Sequence, residues 1–271
     1  MTSTTRRQSS KLEGEVPKDI VVYIMNPGKR NFHVVLKLED RPGVLANVSS
    51  VISKSKTNIL SGHISVLDGH AYWSFFAETE QGGVDAAMLR LLLQNSRYVE
   101  EATVREDRDG LIVDNACFPL RWNAGDRAVV FRTSAFADTL AQLRKELGSG
   151  GSVLLYDQGY KMGEDGARSM VEKLGDGFAR EHLSDVLGLW SAVGWGRIAM
   201  LSYDASGPSI VLKVEESFEC GSVRSDAPYS QFLRGHLCSW LSVLFETRLK
   251  CEETVCVSAG GRHCEFHLCP E

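Results

Sequence analysis

The sequence lacks the features that mark several large protein classes. No apolar run approaches the ~20 residues that a membrane-spanning helix requires. The first residues, MTSTTRRQSSKLEG, contain no apolar core of the kind found in signal peptides. There is also no P-loop, no G-x-G-x-x-G after a predicted strand and no G-x-S-x-G. We therefore expect a cytoplasmic protein with no membrane partner, and no catalytic residues are assigned.

The sequence also has no excess of positive charge. Its 30 Lys and Arg against 35 Asp and Glu give a formal net charge of −5, whereas a nucleic-acid-binding surface must be basic to pair with phosphates. We therefore expect no direct binding of nucleic acid. Residues 1–30 are locally basic and polar, which is typical of a flexible terminal segment, and we predict one there. The remaining length is enough for two domains.

Residues 31–108 show strand and helix periodicities in a regular order. Strand patterns occur at 32–39, 59–67, 71–79 and 98–106, where apolar and polar residues alternate. Helical spacing of apolar residues begins after Pro42 and again at Val84. The order strand–helix–strand–strand–helix–strand predicts a ferredoxin-like domain.

One turn of this domain is suited to a small anion. In DRPGVL (40–45), a strand ends and a helix begins, and the unpaired N–H groups at a helix start favour a carboxylate. Gly43 lets a ligand approach the backbone closely. The alternative is a loop with no ligand.

The stretch DRPGVLANVSSVISKSKTNIL (40–60) resembles the ACT domain, a ferredoxin-like regulatory module of many enzymes of amino-acid metabolism. The resemblance covers residues 32–105 and implies side-by-side pairing with a second copy, so we expect a homodimer. It also implies an amino-acid-type effector. The implied effector-binding positions are Asp40, Arg41, Gly43, Val44, Leu45 and Asn58.

Residues 120–271 carry a different pattern. We predict a helix that starts at Ser134 and stops at Gly148, a strand and glycine-rich turn in GSVLLYDQGYKMG (151–163), and helix over 165–187. Two paired strands follow at 195–204 and 209–218, then a long helix at 229–246 and two final strands. This half is therefore predicted to be an antiparallel sheet with packed helices, and the whole chain belongs to the α+β class.

The cysteines are concentrated near the end of the sequence. The stretch KCEETVCVSAGGRHCEFHLCPE (250–271) holds four of the seven, and in a reducing compartment such a cluster indicates metal or buried thiols before disulfides. Cys256 and Cys264 flank VSAGGRH, whose glycines permit a tight turn that brings two thiolates together. Zinc prefers such ligands. We predict one structural zinc per chain; a metal-free cluster of reduced thiols is the alternative.

The order of RAVVFRTSAFADTLAQLRKELG, VLLYDQGYKMG, a long helix, VEESFE and EETVCVSAGGRHCEF resembles the 4-vinyl-reductase-like domain. That domain forms the sensing part of phenol- and toluene-responsive activators, and a Golgi-tethering subunit family shares its fold. The resemblance implies a small apolar or aromatic molecule held in an internal pocket beside a zinc site. The aromatic residues in the corresponding segments are Trp190, Trp195, Tyr203, Phe218 and Trp240, for which an ordinary core role is the alternative.

The resemblance also implies a carboxylate ligand at Glu253. This residue lies an odd number of positions from Cys256, so a bulge or loop must intervene if both face one site. An ungapped alignment puts Ser230 where the activators have a cysteine, and serine is a poor zinc ligand. We assign the fourth ligand to Cys238, two turns later on the same helix, with Cys220 and Ser230 as alternatives.

Together these patterns predict a two-domain, small-molecule sensor. It consists of a flexible segment (1–30), an ACT domain (31–108) and a 4-vinyl-reductase-like ligand-binding domain (120–271). The alternatives are an accessory protein or enzyme of tetrapyrrole vinyl reduction, and a non-catalytic assembly adaptor. The absence of nicotinamide and flavin motifs favours a sensor or adaptor over an enzyme.

Overall fold

The chain folds into two compact units. The computed structural model describes residues 16–107, 109–123, 125–204, 207–221 and 223–271. One unit comprises Met1–Val129 and the other Val130–Glu271, and each has its own antiparallel sheet. The α+β class predicted from the sequence is confirmed. None of the helices in the described ranges combines the length and apolar character that crossing a membrane requires.

The first unit has the predicted ferredoxin-like order. Its elements are β1 (Tyr23–Met25), β2 (Arg30–Glu39), α1 (Val44–Lys54), β3 (Asn58–Leu67), β4 (His70–Thr79), α2 (Ala86–Gln94), β5 (Val99–Glu106) and β6 (Leu111–Val113). The main sheet has the strand order β3-β4-β2-β5. Alternate residues of β2, including Phe32 and Val34, join Val48 of α1 and Leu89 of α2 in one apolar core. The residues between them, such as His33, face the other side of the sheet.

A small two-stranded sheet completes the first unit. Strand β1 pairs antiparallel with β6, with Tyr23 opposite Val113. The flexible segment predicted at residues 1–30 lies outside the described residues as far as residue 15, and part of the remainder forms β1.

The second unit combines five helices with four strands among its described residues. Its elements are α3 (Thr133–Leu147), α4 (Ser149–Leu174), α5 (Asp176–Glu181), α6 (Leu183–Ala192), β7 (Arg197–Asp204), β8 (Ser209–Glu215), α7 (Gln231–Leu244), β9 (Leu249–Val255) and β10 (Cys264–Pro270). The strand order is β7-β8-β10-β9. Buried side chains of α7 and of the sheet, such as Leu237 and Leu212, share one core.

One prediction for this unit is wrong: GSVLLYDQGYKMG is helix, not strand and turn. Helix α4 presents Gly159 and Gly163 toward α7, and a Cβ on Gly159 would lie 2.0 Å from the carbonyl oxygen of Phe232. Gly235 of α7 is equally tight against the Tyr156 carbonyl oxygen, at 2.1 Å. The glycines thus permit close approach of two helix backbones, and packing overrides the roughly 1 kcal/mol that each glycine costs a helix.

Candidate metal centre and aromatic cluster

Four buried side chains converge at one end of the second sheet. Ligand atoms of Cys220, Glu253, Cys256 and Cys264 all lie within 4.8 Å of one another. Cys220 follows β8, Glu253 lies within β9, Cys256 comes directly after β9, and Cys264 begins β10. The sheet therefore gathers ligands that are distant in sequence.

The connection between β9 and β10 sets the two thiols side by side. The N–H groups of Ala259 and Gly261 both donate to the Cys256 carbonyl oxygen, at 3.1 and 2.8 Å, and Gly260 has φ +96°. Glycine adopts that backbone conformation without steric cost. The resulting turn returns the chain so that the N–H of Val257 lies 3.4 Å from the Cys264 sulfur.

A register shift explains how Glu253 joins Cys256. Strand β10 pairs Glu265 with Val255 but Phe266 with Glu253, so Thr254 is the extra residue of a bulge. A bulge reverses the alternation of side chains, and Glu253 and Cys256 then face the same side. The bulge that the sequence required is confirmed.

Ser230 links this cluster to the start of α7. The Glu253 carboxylate accepts hydrogen bonds from the N–H of Ser230, at 2.8 Å, and from its hydroxyl, at 2.7 Å. The Ser230 Oγ is also 2.9 Å from the Cys220 sulfur. Serine therefore supports two of the four residues through hydrogen bonds.

The thiols share their protons unequally. Hydrogen bonds from Cys264 and Ser230 to its thiolate lower the pKa of Cys220 to about 7, despite its burial. Burial, followed by the charge of Cys220, raises the pKa of Cys256 to about 11. The hydrogen bond to Cys220, together with burial, also raises the pKa of Cys264. Without a cation, this buried set thus stabilises one thiolate at a time.

The donor set fits a metal ion. Three thiols and one carboxylate offer four anionic donors in a buried position, and a divalent cation would compensate charges that burial alone disfavours. Four protein ligands also match the closed coordination of structural sites. The cluster is therefore suited to a metal held for structure.

Cys238 does not reach this cluster, contrary to the prediction. Its thiol donates to the Leu249 carbonyl oxygen at 3.0 Å. Eight residues of helix separate it from Ser230, which is about 12 Å along the axis. Cys220, one of the alternatives, takes the fourth position because the turn after β8 passes the start of α7.

A buried ion pair lies beside Cys220. The Glu219 carboxylate accepts hydrogen bonds from the N–H groups of Phe232 and Leu233, at 3.0 and 2.8 Å, and is paired with the Arg144 guanidinium of α3. Arg144 also stacks on the Tyr229 ring, 3.7 Å from its centroid. Burial raises the pKa of Glu219, although Arg144 acts in the opposite direction. Glu219 thus joins α3 to the first turn of α7.

Four of the five predicted pocket residues belong to one aromatic cluster. Trp190 contacts Trp240, with ring centroids 4.8 Å apart, and Trp195 contacts Phe218 at 5.2 Å. His236 joins the two pairs, because its ring lies 5.8 Å from Trp190 and 4.7 Å from Trp195. Tyr203 lies apart from them: it is 39% exposed and contacts Phe245.

His236 is a feature that sequence reasoning missed. Burial lowers its pKa to about 4, so the imidazole is neutral at pH 7. Its Nδ1 atom is buried and has no hydrogen-bond partner in the described part of the chain. A buried histidine on an otherwise apolar helix face, RGHLCSW, was the available signal.

In the first unit, the predicted effector positions separate into two groups. Asp40, Arg41, Gly43, Val44 and Leu45 surround the start of α1, and Gly43 has φ +88°. Asn58 lies beyond the other end of α1, where it lines a cleft of about 440 Å³ with Ser53 and Lys56. The helix between them is about 16 Å long. One copy of the chain therefore does not bring Asn58 to Gly43.

Arg41 is held beside the start of α1. Its guanidinium stacks on Tyr98, 4.6 Å from the ring centroid, and lies 3.6 Å from a carboxylate oxygen of Glu39. It is about half exposed and so faces solvent near Gly43.

The region that carries the thiol cluster has a family match. Residues 210–270 match the 4-vinyl-reductase domain, and we call them the 4-vinyl-reductase region. The match runs from β8 to β10 and contains Cys220, Glu253, Cys256 and Cys264, together with α7. No curated protein matches the sequence significantly.

Solved structures resemble each unit. The phenol-responsive sensory domain of the transcription activator PoxR, solved with phenol, is 23% identical, with a TM-score of 0.47 over 55% of this chain and 79% of that one. A vinyl-4-reductase family protein from Methanocaldococcus jannaschii is 16% identical, with a TM-score of 0.37 over 53% of this chain and 84% of that one. The ACT domain of the GTP pyrophosphokinase of Chlorobium tepidum is 20% identical, with a TM-score of 0.24 over 28% of this chain and 99% of that one.

Proposed function

We propose that this chain is a ligand-sensing regulatory protein. Its 4-vinyl-reductase region would hold one structural zinc and take a small aromatic or apolar ligand in the aromatic cluster. The observation that carries the proposal is the run Phe218, Glu219 and Cys220. These consecutive residues belong, in turn, to the aromatic cluster, the buried ion pair and the thiol cluster.

Zinc suits the thiol cluster better than other common ions. Thiolates select zinc over calcium and magnesium, which require oxygen ligands. Cys220, Cys256 and Cys264 would supply three sulfurs and Glu253 one oxygen. Because all four positions come from the protein, the metal would brace β8, β9 and β10 and would leave no position for substrate.

The aromatic cluster indicates the class of ligand. Trp190, Trp195 and Phe218 present ring faces and edges that favour another aromatic ring. His236 adds one neutral nitrogen without a partner in the described ranges, which could accept a hydrogen bond from a hydroxyl or N–H group. A monohydroxylated aromatic molecule would satisfy both properties. The rings are in mutual contact, so the ligand would enter by separating them.

A ligand in this cluster would move the residues next to it. Displacement of Phe218 changes the position of Glu219, whose carboxylate binds both Arg144 of α3 and the first turn of α7. It also strains the attachment of Cys220 to the metal. Ligand binding and the position of α3 would thus be linked, as regulation requires.

The first unit would supply pairing and a second input. Its ferredoxin-like topology and the DRPGVL turn support an ACT-type unit that forms a homodimer and binds an amino acid. Strand β3 is at the sheet edge and exposes Leu60, Ile64 and Val66. An apolar edge of this kind is usually covered. A second copy could also bring its Asn58 toward Gly43, which one copy does not.

Two other functions predict different behaviour. An enzyme or accessory protein of tetrapyrrole vinyl reduction would bind a large macrocycle, and an assembly adaptor would bind no small molecule. The buried imidazole of His236 among aromatic rings favours a small ligand with one polar group.

The decisive experiment is native mass spectrometry followed by thermal shift. Protein purified from its own host should carry one zinc per chain, appear as a dimer and show any retained ligand. Phenols, indoles, fatty acids and free amino acids should then be screened, because a ligand at 100 times its Kd adds about 2.7 kcal/mol of stability. No shift with any of them would favour the adaptor, and a shift with porphyrins alone would favour the vinyl-reduction function.

A further inference from the structure

A second group of metal-binding side chains lies in the first unit, where no sequence motif pointed to one. Ligand atoms of His33, Asp114 and Cys117 lie within 4.8 Å of one another. His33 is in β2, on the side of the sheet opposite α1 and α2, whereas Asp114 and Cys117 follow β6. Two distant parts of the chain therefore meet at this group.

Local hydrogen bonds hold the acid and the thiol together. The N–H of Asp114 donates to the Val22 carbonyl oxygen at 2.9 Å, which fixes this residue to the strand pair β1–β6. Its Oδ1 accepts hydrogen bonds from the N–H groups of Ala116 and Cys117, at 3.1 and 3.0 Å. This turn keeps the thiol beside the carboxylate.

His33 faces the carboxylate from the sheet. The ring is 1% exposed, and its Nε2 lies 3.0 Å from the Ser74 hydroxyl and 3.5 Å from Asp114 Oδ1. Its Nδ1 is buried without a hydrogen-bond partner in the described ranges. Burial lowers the pKa of His33, although Asp114 raises it, so the imidazole is neutral at pH 7 and has a lone pair to donate. Burial raises the pKa of Cys117, whose thiol is therefore protonated until a cation replaces the proton.

The donor types indicate the class of cation. An imidazole nitrogen, a thiolate sulfur and a carboxylate oxygen together suit zinc and related divalent transition metals, but not magnesium or calcium. The guanidinium of Arg105 is committed to the Val113 carbonyl oxygen and the Asn115 side chain. The side chains that act on the Cys117 thiol are those of Ser74 and Asp114, and neither of them is cationic.

The surroundings indicate an accessible site. Cys117 is exposed, and the residues on either side of Asp114, Val113 and Asn115, line a cleft of about 590 Å³. Three protein ligands also leave a coordination position for water or another small ligand, as in open zinc sites. An ion bound here could exchange with solvent, unlike one enclosed by the four ligands of the 4-vinyl-reductase region.

We propose that His33, Asp114 and Cys117 form a second, exchangeable site for a divalent transition metal of the zinc type. The bound ion would fasten the segment after β6 to the face of the main sheet. Since Asp114 and Cys117 precede α3 in the chain, metal availability would set how firmly the end of the first unit is held.

Cobalt titration of the full-length protein tests the site. Co²⁺ bound to a thiolate gives a charge-transfer absorption band, and wild type should take up one ion more than Cys117→Ser, with loss of that band in the variant. Asp114→Asn keeps the size of the side chain and should weaken binding by more than the about 10–100-fold that loss of an outer-shell partner costs. Cys269→Ser is the matched control, because this thiol lies outside both clusters.

Alkylation of Cys117 gives an independent measurement. Peptide mapping after iodoacetamide treatment should show Cys117 labelled in chelator-treated protein and protected in proportion to added Zn²⁺. Equal Co²⁺ stoichiometry and spectra for wild type and Cys117→Ser would overturn the proposal, as would labelling of Cys117 that Zn²⁺ does not slow. Neither result depends on whether the cluster of the 4-vinyl-reductase region holds zinc, because that cluster is unchanged in every variant.

Discussion

The Sγ atoms of Cys220 and Cys256 lie 3.7 Å apart, although one thiol follows β8 and the other follows β9. Two thiolates on one tetrahedral zinc would be separated by about 3.8 Å, given Zn–S bonds near 2.3 Å. A disulfide would require about 2 Å. The backbone thus holds these two sulfurs at the spacing of metal ligands.

Removing one of these thiols should remove the metal. Cys220→Ser, Cys256→Ser and Cys264→Ser should each lower zinc content from one ion per chain toward none at this site. The 4-vinyl-reductase region should unfold at lower denaturant concentration, because binding free energies of about 10–16 kcal/mol for structural zinc are also folding free energy. Elemental analysis and urea unfolding measure the two effects. Full stability after exhaustive chelation would contradict the assignment.

Cys238→Ser separates the observed ligand set from the predicted one. The Cys238 thiol bonds to the Leu249 carbonyl oxygen and lies outside the cluster. We expect this variant to keep the zinc content of wild type, and to lose about 1 kcal/mol or less because serine can make the same hydrogen bond. Zinc loss equal to that of Cys256→Ser would restore Cys238 as a ligand.

His236 should make the protein sensitive to acid. Its pKa is about 4 in the folded state and 6.5 in a model peptide. Above pH 6.5 both states are neutral and the residue contributes nothing. Between pH 6.5 and 4 the unfolded state takes up a proton that the folded state refuses, which costs up to about 3 kcal/mol of stability.

Urea unfolding at several pH values measures this contribution. His236→Leu should flatten the acid limb of the stability curve relative to wild type, whereas the exposed control His182→Gln should leave the limb unchanged. An identical pH dependence for wild type and His236→Leu would show that the imidazole is protonated in the folded protein.

The contact between α4 and α7 should tolerate no added methyl group. Gly159→Ala places a Cβ 2.0 Å from the Phe232 carbonyl oxygen, and Gly163→Ala places one 2.3 Å from the His236 carbonyl oxygen. Each should cost about 1–3 kcal/mol or more, as overpacking does. Gly166→Ala, on the same helix, meets Trp240 only at 3.9 Å and should be neutral or stabilising by up to about 1 kcal/mol. Equal effects of the three substitutions in urea unfolding would contradict this packing.

The turn before α1 can be tested with two substitutions of equal size. Asn and Asp both tolerate the positive φ of Gly43, but only Asp adds a negative charge. If an amino acid binds there through its carboxylate, Gly43→Asp should abolish the heat of binding and Gly43→Asn should only weaken it. Calorimetry without heat for any amino acid in wild type would leave the first unit as a pairing module.

The first unit could be predicted because its code is local. Alternation in β2 and the helical spacing of Val44, Val48 and Ile52 both follow from one buried face. The glycines of α4 had the opposite effect. Glycine lowers helix propensity, so the sequence favoured a turn, and only the facing backbone of α7 explains why Gly159 and Gly163 are needed.

Site residues were predictable only where the sequence brings them together. Glu253, Cys256 and Cys264 follow one hairpin, and the required bulge could be inferred from their spacing. Cys220 comes from another strand, and its place depends on how the turn after β8 meets α7. His33 gave no signal at all, because its partners Asp114 and Cys117 reach it only through the pairing of β1 with β6.

The order Phe218–Glu219–Cys220 has a mechanical consequence. Neighbouring Cα atoms are fixed about 3.8 Å apart by a rigid peptide unit, so three adjacent residues shift as a short stiff lever. Its three attachments are a ring contact of Phe218, the ion pair of Glu219 with Arg144, and the sulfur of Cys220 near that of Cys256. The sulfur end is the natural fulcrum when a metal holds it, and motion at the aromatic end then appears at Arg144.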